Sequence, residues 1–533
     1  AAAGTIAQKA FDGKIICSDP NLNFLFQGLF TFSSKTRNAL YNFYANIGYA
    51  DLNAINIDKR GMSRISLQTS ANFTRVKDND LLGNINISRI NLENEHGKYD
   101  IGDISVSSHS SDTLFRARID SEFAEGSFIG TGSVSSFIRD AKDLTIKRQL
   151  PAIGRDTAYI WNGNRYDLSF NLYDTMDLLA FLAPGLYIAE NTSFRMHIGE
   201  NGTMDGNIKS QRLAIGEQYM KDFSLDFRNN GEGLDGEIRS ETINIATLSL
   251  KNNSFKLFAK DNHIGIGYTY DNQGELVNRG EFYMRGNLLR NEDDRLQCSI
   301  SLLPSSIYLN AREWSIMPSE MTVCGKDVNI SNIEFLSGEQ SVRIYGGISD
   351  SGRDTLMLDM EKFDISIINP LLGKAAAFSG AASGKALLVS SGKNKSLSSD
   401  FLCTSTGISG AMMGTVRFRG EWDNTSKKIG IDLKNSYEGK SSFDIHGSYS
   451  LSDKYADVSA ALDGFDISCI TPYVSSIFSE ASGRLSGNFT ANGKLGSMAV
   501  ESTGARMEDA TLRIAFTNVP YTLNGDFHID SRG

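Results

Sequence analysis

No run of about eighteen apolar residues occurs in this sequence, so no stretch reads as a membrane-spanning helix. Proline is scarce, 8 in 533 residues, which excludes polyproline linkers between domains. The five cysteines (Cys17, Cys298, Cys324, Cys403, Cys469) are scattered, odd in number and without metal-ligand spacing. They read as small buried hydrophobes, with a disulfide as the alternative, and leave the redox compartment open. The six histidines (His96, His109, His197, His263, His446, His528) lie far apart and form no HExxH pair. Positive charge is in deficit, 53 Lys and Arg against 63 Asp and Glu, and the net −10 argues against nucleic acid, whose phosphates need a basic face. The acidic stretches NEDDR (291–295) and DND (78–80) read as solvated turns. GAASGKA (380–386) resembles a phosphate loop only loosely. It has one residue too few between Gly380 and Gly384, and Ala386 stands where Ser or Thr would hold magnesium. No metal, no cofactor and no enzymatic activity is expected. Carboxylates scattered over a β-solenoid glycosidase would leave no local motif, so a polysaccharide-acting or adhesive solenoid stays open as an alternative.

Glycine is abundant, 50 residues, which fits many tight turns between strands. From Phe11 to about Ile57 the pattern is aromatic-rich and strand-like. Beyond it, period-two alternation dominates. In SRISLQTSANF, Ile65, Leu67 and Phe73 fall on one face with Arg64 and Gln68 on the other. The pattern recurs with Ile85 and Ile87, with Phe115 and Ile119, with Phe223, Leu225 and Phe227, and with Cys298, Ile300 and Leu302. Further along it takes in Leu356 and Leu358, then Ile429, Ile431 and Leu433, then Leu512, Ile514 and Phe516. Residues 134–150 predict an amphipathic helix ended by Pro151, and a second short helix is expected within 174–186. The glycines of SEFAEGSFIGTGS (121–133) read as turn glycines.

One repeat is explicit. SVRIYGGISDSGRDTLMLDMEKFDISIINP (341–370) aligns with SFDIHGSYSLSDKYADVSAALDGFDISCITP (442–472), with Gly346 matching Gly447 and Phe363 matching Phe465. A unit near 100 residues built of short strands implies an elongated array. Roughly 30 to 40 strands at about 4.8 Å would reach on the order of 150–190 Å along the stacking axis. So many apolar faces cannot lie flat in water, and the polar opposite face (Arg116, Arg118, Asp226, Asp359) excludes lipid on the outside. The expected fold is all-β: a very elongated, mainly antiparallel curled sheet forming a U-shaped hydrophobic groove, with a few short helices. The organisation expected is one continuous repeat array over 1–533. Groove units span 1–133, a helical insertion region 134–186 and further groove units 187–362. A repeat with a Gly-rich insertion occupies 363–464, and its second copy, leading into a C-terminal domain, 465–533. Elements opened by Pro370 and Pro472 are expected to roof the groove or cap its apolar face. The start AAAGTIAQKA lacks an initiator Met and a signal-peptide pattern, and FHIDSRG follows a strand pattern directly. Both ends are expected to be cuts through a longer protein.

These residues resemble the TamB family of the AsmA-like superfamily, the translocation and assembly module inner-membrane component, in its Bacteroidota-like version. The likeness rests on GYADLNAINIDKRGMSRISLQTSANF followed by DLLGNINISRINLEN, on FRARIDSEFAEGSFIGTGS and on the Trp314 unit ending in SVRIYGGIS. It extends to the FDISIINP and FDISCITP copies, to the more degenerate MDLLAFLAPGL (176–186), and to RMEDATLRIAFTNVPYTLNGDFHID (506–530). The resemblance implies a periplasmic protein of a Gram-negative bacterium, anchored in the inner membrane through a segment outside this sequence. It also implies a bridge-like lipid transport protein whose groove takes phospholipid acyl chains between the inner and outer membranes. Its alternative implication is an outer-membrane protein assembly factor acting with a barrel partner of the TamA/BamA type.

Overall fold

A computed structural model describes all residues except 8–9, 32–38, 76–80, 112, 155–159, 246–247, 274–277, 310–311, 351, 370–376, 426, 438–439, 472–474, 495–496 and 531–533. Among the described residues the chain is all-β and antiparallel throughout, with a few short helical pieces. It divides into two compact units, Ala1–Asn272 and Gln273–Gly533, each with seventeen strands among the described residues. In each unit most strands pair with the next in sequence, a meander, as short Gly- and Asn-rich turns between alternating segments dictate. In unit two the hairpin Ser305–Leu309 with Arg312–Ile316 is inserted into the sheet, pairing with Arg279–Arg290 on one side and Asp327–Ser337 on the other, and Leu296–Leu302 pairs with Ser319–Cys324.

The strands are long and bent. In unit one the register shifts between Ile87 and Ile90, where Arg89 adopts a left-handed φ of 54°, and again between Ile47 and Ala50. In unit two it shifts between Met360 and Phe363, between Leu462 and Phe465, and between Met507 and Ala510. Each such bulge adds a residue to one strand, bends it and increases the local twist, so an alternating sheet curls around its apolar face.

Helices fall where the alternation fails. Helix α1 (Val134–Lys142) is capped by Ser133, whose side chain accepts the N–H of Ser136, and runs into a π-turn over Asp143–Lys147. Pro151 does not simply end this run. It opens a further turn, α2 (Pro151–Gly154), because proline's missing N–H costs nothing at a first helical position. Helix α3 (Met176–Leu182) lies within the second expected region.

Two of the three glycines of 121–133 differ from expectation, while Gly132 lies in the bend after the strand. Gly126 and Gly130 lie inside the strand Ala124–Gly130, not in turns. A Cβ at Gly126 would come within 2.5 Å of the Phe170 ring, and one at Gly130 within 2.5 Å of the Tyr166 ring. These glycines make room for cross-strand aromatics. GAASGKA likewise lies within the strand Phe378–Ser391, away from any strand-to-helix turn.

Candidate functional site

Cross-strand register lines up one inward residue per strand. In unit one the row runs Phe43–Ala71–Ile85–Val106–Ile119–Gly126–Phe170–Phe194–Ile208–Leu225–Ile238–Phe255–Tyr268, each residue directly opposite the next. Every member is apolar, glycine or tyrosine, and apart from the small Ala71 and Gly126 all are only half-buried. The adjacent residues on the other face are polar, as with Asn84, Ser105, Arg118, Ser193 and Asn207. Because side chains alternate with period two, a continuous apolar stripe on one side requires a continuous polar one on the other.

Unit two repeats this design. Its row runs Ile300–Met321–Ile330–Gly346–Leu356–Leu388–Leu397–Trp422–Ile429–Tyr449–Ala456–Gly493–Met498. A parallel row alongside carries Ile344, Leu358, Ala386, Ser399, Gly420, Ile431, Gly447 and Val458. Outside, charges pair across strands. Arg343 lies 3.1 Å and Lys385 3.6 Å from the Asp359 carboxylate, and Arg417 grips Asp400 with two hydrogen bonds of 2.8 and 2.6 Å. The Arg417 guanidinium holds the Asp400 carboxyl below the usual carboxylate range.

Covers sit along the margins of these rows. In unit one α3 places Phe181 on Ile90, Leu92 and Ile101. Its C-terminal carbonyls, those of Phe181 and Leu182, are met by the Arg60 guanidinium at 3.2 and 2.5 Å. At the other strand ends, Phe137 of α1 and Leu144 of the π-turn pack on Phe115, Phe128, Tyr166, Ile198 and Met204. Asp140, only 4% exposed, accepts from the Tyr166 hydroxyl at 2.7 Å and from the amides of Asn162 and Asn164 at 3.0 and 2.9 Å. Burial, with the Asp140 carboxylate beside it, raises the pKa of the Tyr166 phenol well above its ordinary value.

In unit two the FDIS copies supply the covers. Asp364 and Asp466 each accept the N–H of the serine two residues on, Ser366 at 3.0 Å and Ser468 at 2.9 Å, opening one-turn 3-10 helices over Ile365–Ile368 and Ile467–Ile470. In the second copy Ile467 and Cys469 are buried: Ile467 clusters with Ala481 and Ala510, Cys469 with Met413, Val416 and Phe443. In the first copy no residue of the turn is fully buried, although Phe363 just before it packs on Trp314 with ring centres 5.8 Å apart. Desolvation pushes the Cys469 thiol up to about 11. The segments opened by Pro370 and Pro472 lie outside the described residues.

The expected lining residues fall into groups that the sequence did not separate. Ile85, Ile119, Leu225, Ile300, Leu356 and Ile429 lie in the two central rows, and Leu358 and Ile431 in the parallel one. Ile65, Leu67 and Ile87 pack into the cluster that α3 covers, Phe115 and Phe227 into the one α1 covers. Phe73 stacks on Tyr41 at 4.7 Å, and Phe223 stands opposite Ser210. Cys298 lies between Leu288 and Val323, and Leu302 is buried opposite Met284. Leu433 and Leu512 pack against the clusters around the 467–470 turn, and Ile514 pairs with Phe478. Phe516 lies past the end of its strand, in the 515–517 turn, and is 97% exposed. In the strands Ala10–Asp19, Leu22–Thr31 and Ala39–Asp51, Phe11, Phe26, Phe30 and Phe43 touch ring to ring and make an aromatic floor, which the sequence shows only as an aromatic-rich region. Its signal is the density of Phe on alternate positions. No helix among the described residues is long and apolar enough to cross a membrane, which says nothing of crossing by strands.

No family model, no curated protein and no solved structure matches this chain.

Proposed function

We propose that the apolar trough of each unit carries phospholipid acyl chains, so that the protein works as a bridge-like lipid transporter between inner and outer membranes. The observation that supports this reading is the central row: apolar residues, most of them half-exposed, in register across successive strands and interrupted only by glycines and a few buried positions, flanked by covered margins. A folded sheet that needed only a core would seal that row, since each Å² of apolar surface left in water forgoes about 25 cal/mol. Two acyl chains with about 30 methylenes would cost on the order of 20 kcal/mol to move through water, at about 0.8 kcal/mol each. A trough that lines them with side chains at every second residue removes most of that barrier, while the headgroup stays in solvent. No proton, metal or covalent step is needed. The TamB-like resemblance of the sequence points the same way. On this reading the protein works in the periplasm of a Gram-negative bacterium, held by an inner-membrane anchor outside this sequence.

Lipid extraction and native mass spectrometry of the purified protein test this reading. The expected result is co-purifying phospholipid that is lost in Ile300→Asp and Leu358→Asp variants that still fold. Absence of bound lipid in the native protein, or full transfer activity in those folded variants, overturns it.

A further inference from the structure

Between the strands Ala124–Gly130 and Tyr166–Leu172 a strap, residues 134–154, leaves the sheet of unit one and covers one margin of the trough. Beneath this strap the floor is sealed: Tyr166 and Ile198 are 0% exposed and Met204 1%. Further along the same strands Leu168, Phe170, Phe194 and Met196 are half-buried. The difference within single strands is made by Phe137 and Leu144, buried in the cluster, with Ala141 and Trp161 packed against it.

The strap is fastened by polar bonds as well. Asp140 takes three hydrogen bonds, from Tyr166, Asn162 and Asn164. The Arg148 guanidinium donates to the carbonyls of Gly202 and Gly231 at 3.1 and 3.2 Å, and the Asn262 N–H donates to the Gln149 carbonyl at 2.8 Å. Those three partners lie in the turns of three successive hairpins, so the strap is stitched along one margin of the sheet. Its register is already interrupted by the π-turn Asp143–Lys147, a feature frequent at functional sites in helices. Its far side offers Val134 and Ile138 to solvent, 41% and 63% exposed, so no second layer among the described residues holds it down.

We propose that the strap is a displaceable internal occupant of the trough: Phe137 and Leu144 cover floor on which an acyl chain lies when lipid is bound, and the lipid lifts them. This rests on the reading of the trough as an acyl-chain site. Methylenes of a bound acyl chain take the place of Phe137, Leu144 and the Ala141 and Trp161 side chains packed beside them, so the floor stays covered when the strap leaves. Giving up the stitches is costly, since each bond to the charged Asp140 or Arg148 is worth more than a neutral one, and burial of the acyl chain, methylene by methylene, has to supply that cost. The empty trough would then be spared exposure at its most aromatic stretch of covered floor, and occupancy would be read out as strap release.

Hydrogen exchange on the whole protein, with and without palmitoyl lysophosphatidylcholine held below its micelle concentration, decides the matter, with binding checked by native mass spectrometry. The expected result is bound lipid together with at least ten-fold faster exchange of amides 137–148. Bound lipid with unchanged or slower exchange there overturns the strap's displacement and leaves the trough reading standing. No bound lipid overturns the trough reading and the strap proposal with it. Leu144→Ala is expected to tighten apparent lipid binding about three-fold or more. An unchanged affinity in a folded Leu144→Ala protein counts against displacement, and if that variant does not fold, the wild-type exchange result decides alone.

Discussion

Lys362 and Gly464 hold the same left-handed backbone, φ 50° and 63°, at matching positions of the two repeat copies. Each donates its N–H to a serine hydroxyl on the following strand, Ser383 and Ser486, at 2.9 Å in both cases. The bulge so pinned turns Phe363 and Phe465 toward the apolar face and sets up the aspartate cap that opens each 3-10 cover. The repeat is therefore a corner device: bulge, inward aromatic, capped cover.

Glycine substitutions along this device are expected to separate backbone strain from steric clash. Gly464→Ala costs about 1 kcal/mol through backbone conformation, because the new Cβ would meet nothing closer than Arg484 Cδ at 3.9 Å. Gly384→Ala costs several-fold more, because its Cβ would fall 2.2 Å from the Asp400 carbonyl oxygen. Urea unfolding of the two variants measures this, and equal losses would refute the distinction.

Neighbouring residues on opposite faces are expected to behave oppositely. Leu358→Asp removes bound lipid, whereas Asp359→Asn keeps it and loses only its exposed pairs with Arg343 and Lys385, within about 1 kcal/mol. Lipid quantified by extraction from both variants checks this. Similar lipid loss in both would mean that face, and with it the trough, is irrelevant.

Tyr166→Phe deletes the 2.7 Å hydrogen bond to buried Asp140 and is expected to weaken strap docking by about 1.5–3 kcal/mol, the range for bonds to charged groups. Hydrogen exchange at 134–148 should rise accordingly, while exchange in the strand Ser63–Arg75, which the strap does not cover, stays as it was. A rise of the same size in both segments would mean that the bond holds the unit as a whole and not the strap.

The second repeat's cover is expected to protect its own thiol. Burial holds Cys469 mostly as the unreactive thiol, up at about 11, so N-ethylmaleimide at pH 8 should modify it at least about 100-fold more slowly than an exposed cysteine. Rapid labelling in the folded protein would show that the Ile467–Ile470 turn opens readily.

On the outer face the Asp432 carboxylate, bonded to His446 Nδ1, raises the imidazole above its ordinary value of 6.5, and Asp444 adds to it at 3.1 Å from Nε2. A raised folded-state value means the pair stabilises the fold fully below the ordinary histidine range and loses that contribution as pH rises through the raised value. The stability gap between the native protein and His446→Gln should thus shrink as pH rises through the ordinary histidine range and beyond it. An NMR titration placing His446 at or below the ordinary 6.5 would contradict it.

Alternation alone determined much of this protein. It made Ile85, Leu225, Ile300 and Leu358 inward and Arg118, Asp226 and Asp359 outward, because a period of two leaves a strand residue only two directions. Composition limited the helices to a few short pieces. The alternation of Leu512 and Ile514 reads on into Phe516, yet a turn closed by the Asn518 N–H on the Ile514 carbonyl intervenes, and that bond depends on chain reversal that side-chain periodicity does not encode. Gly126 and Gly130 read as turn residues because the rings that need their space, Phe170 and Tyr166, lie some 40 positions further along the chain. Only the tertiary structure decided which inward residues stay open. Phe115 and Ile119 share a strand and a face, yet Phe137 and Leu144, brought over from an insert beyond the next strand, seal the floor at Phe115 and leave Ile119 half-exposed. Direction is local, but exposure depends on what folds back from elsewhere in the chain.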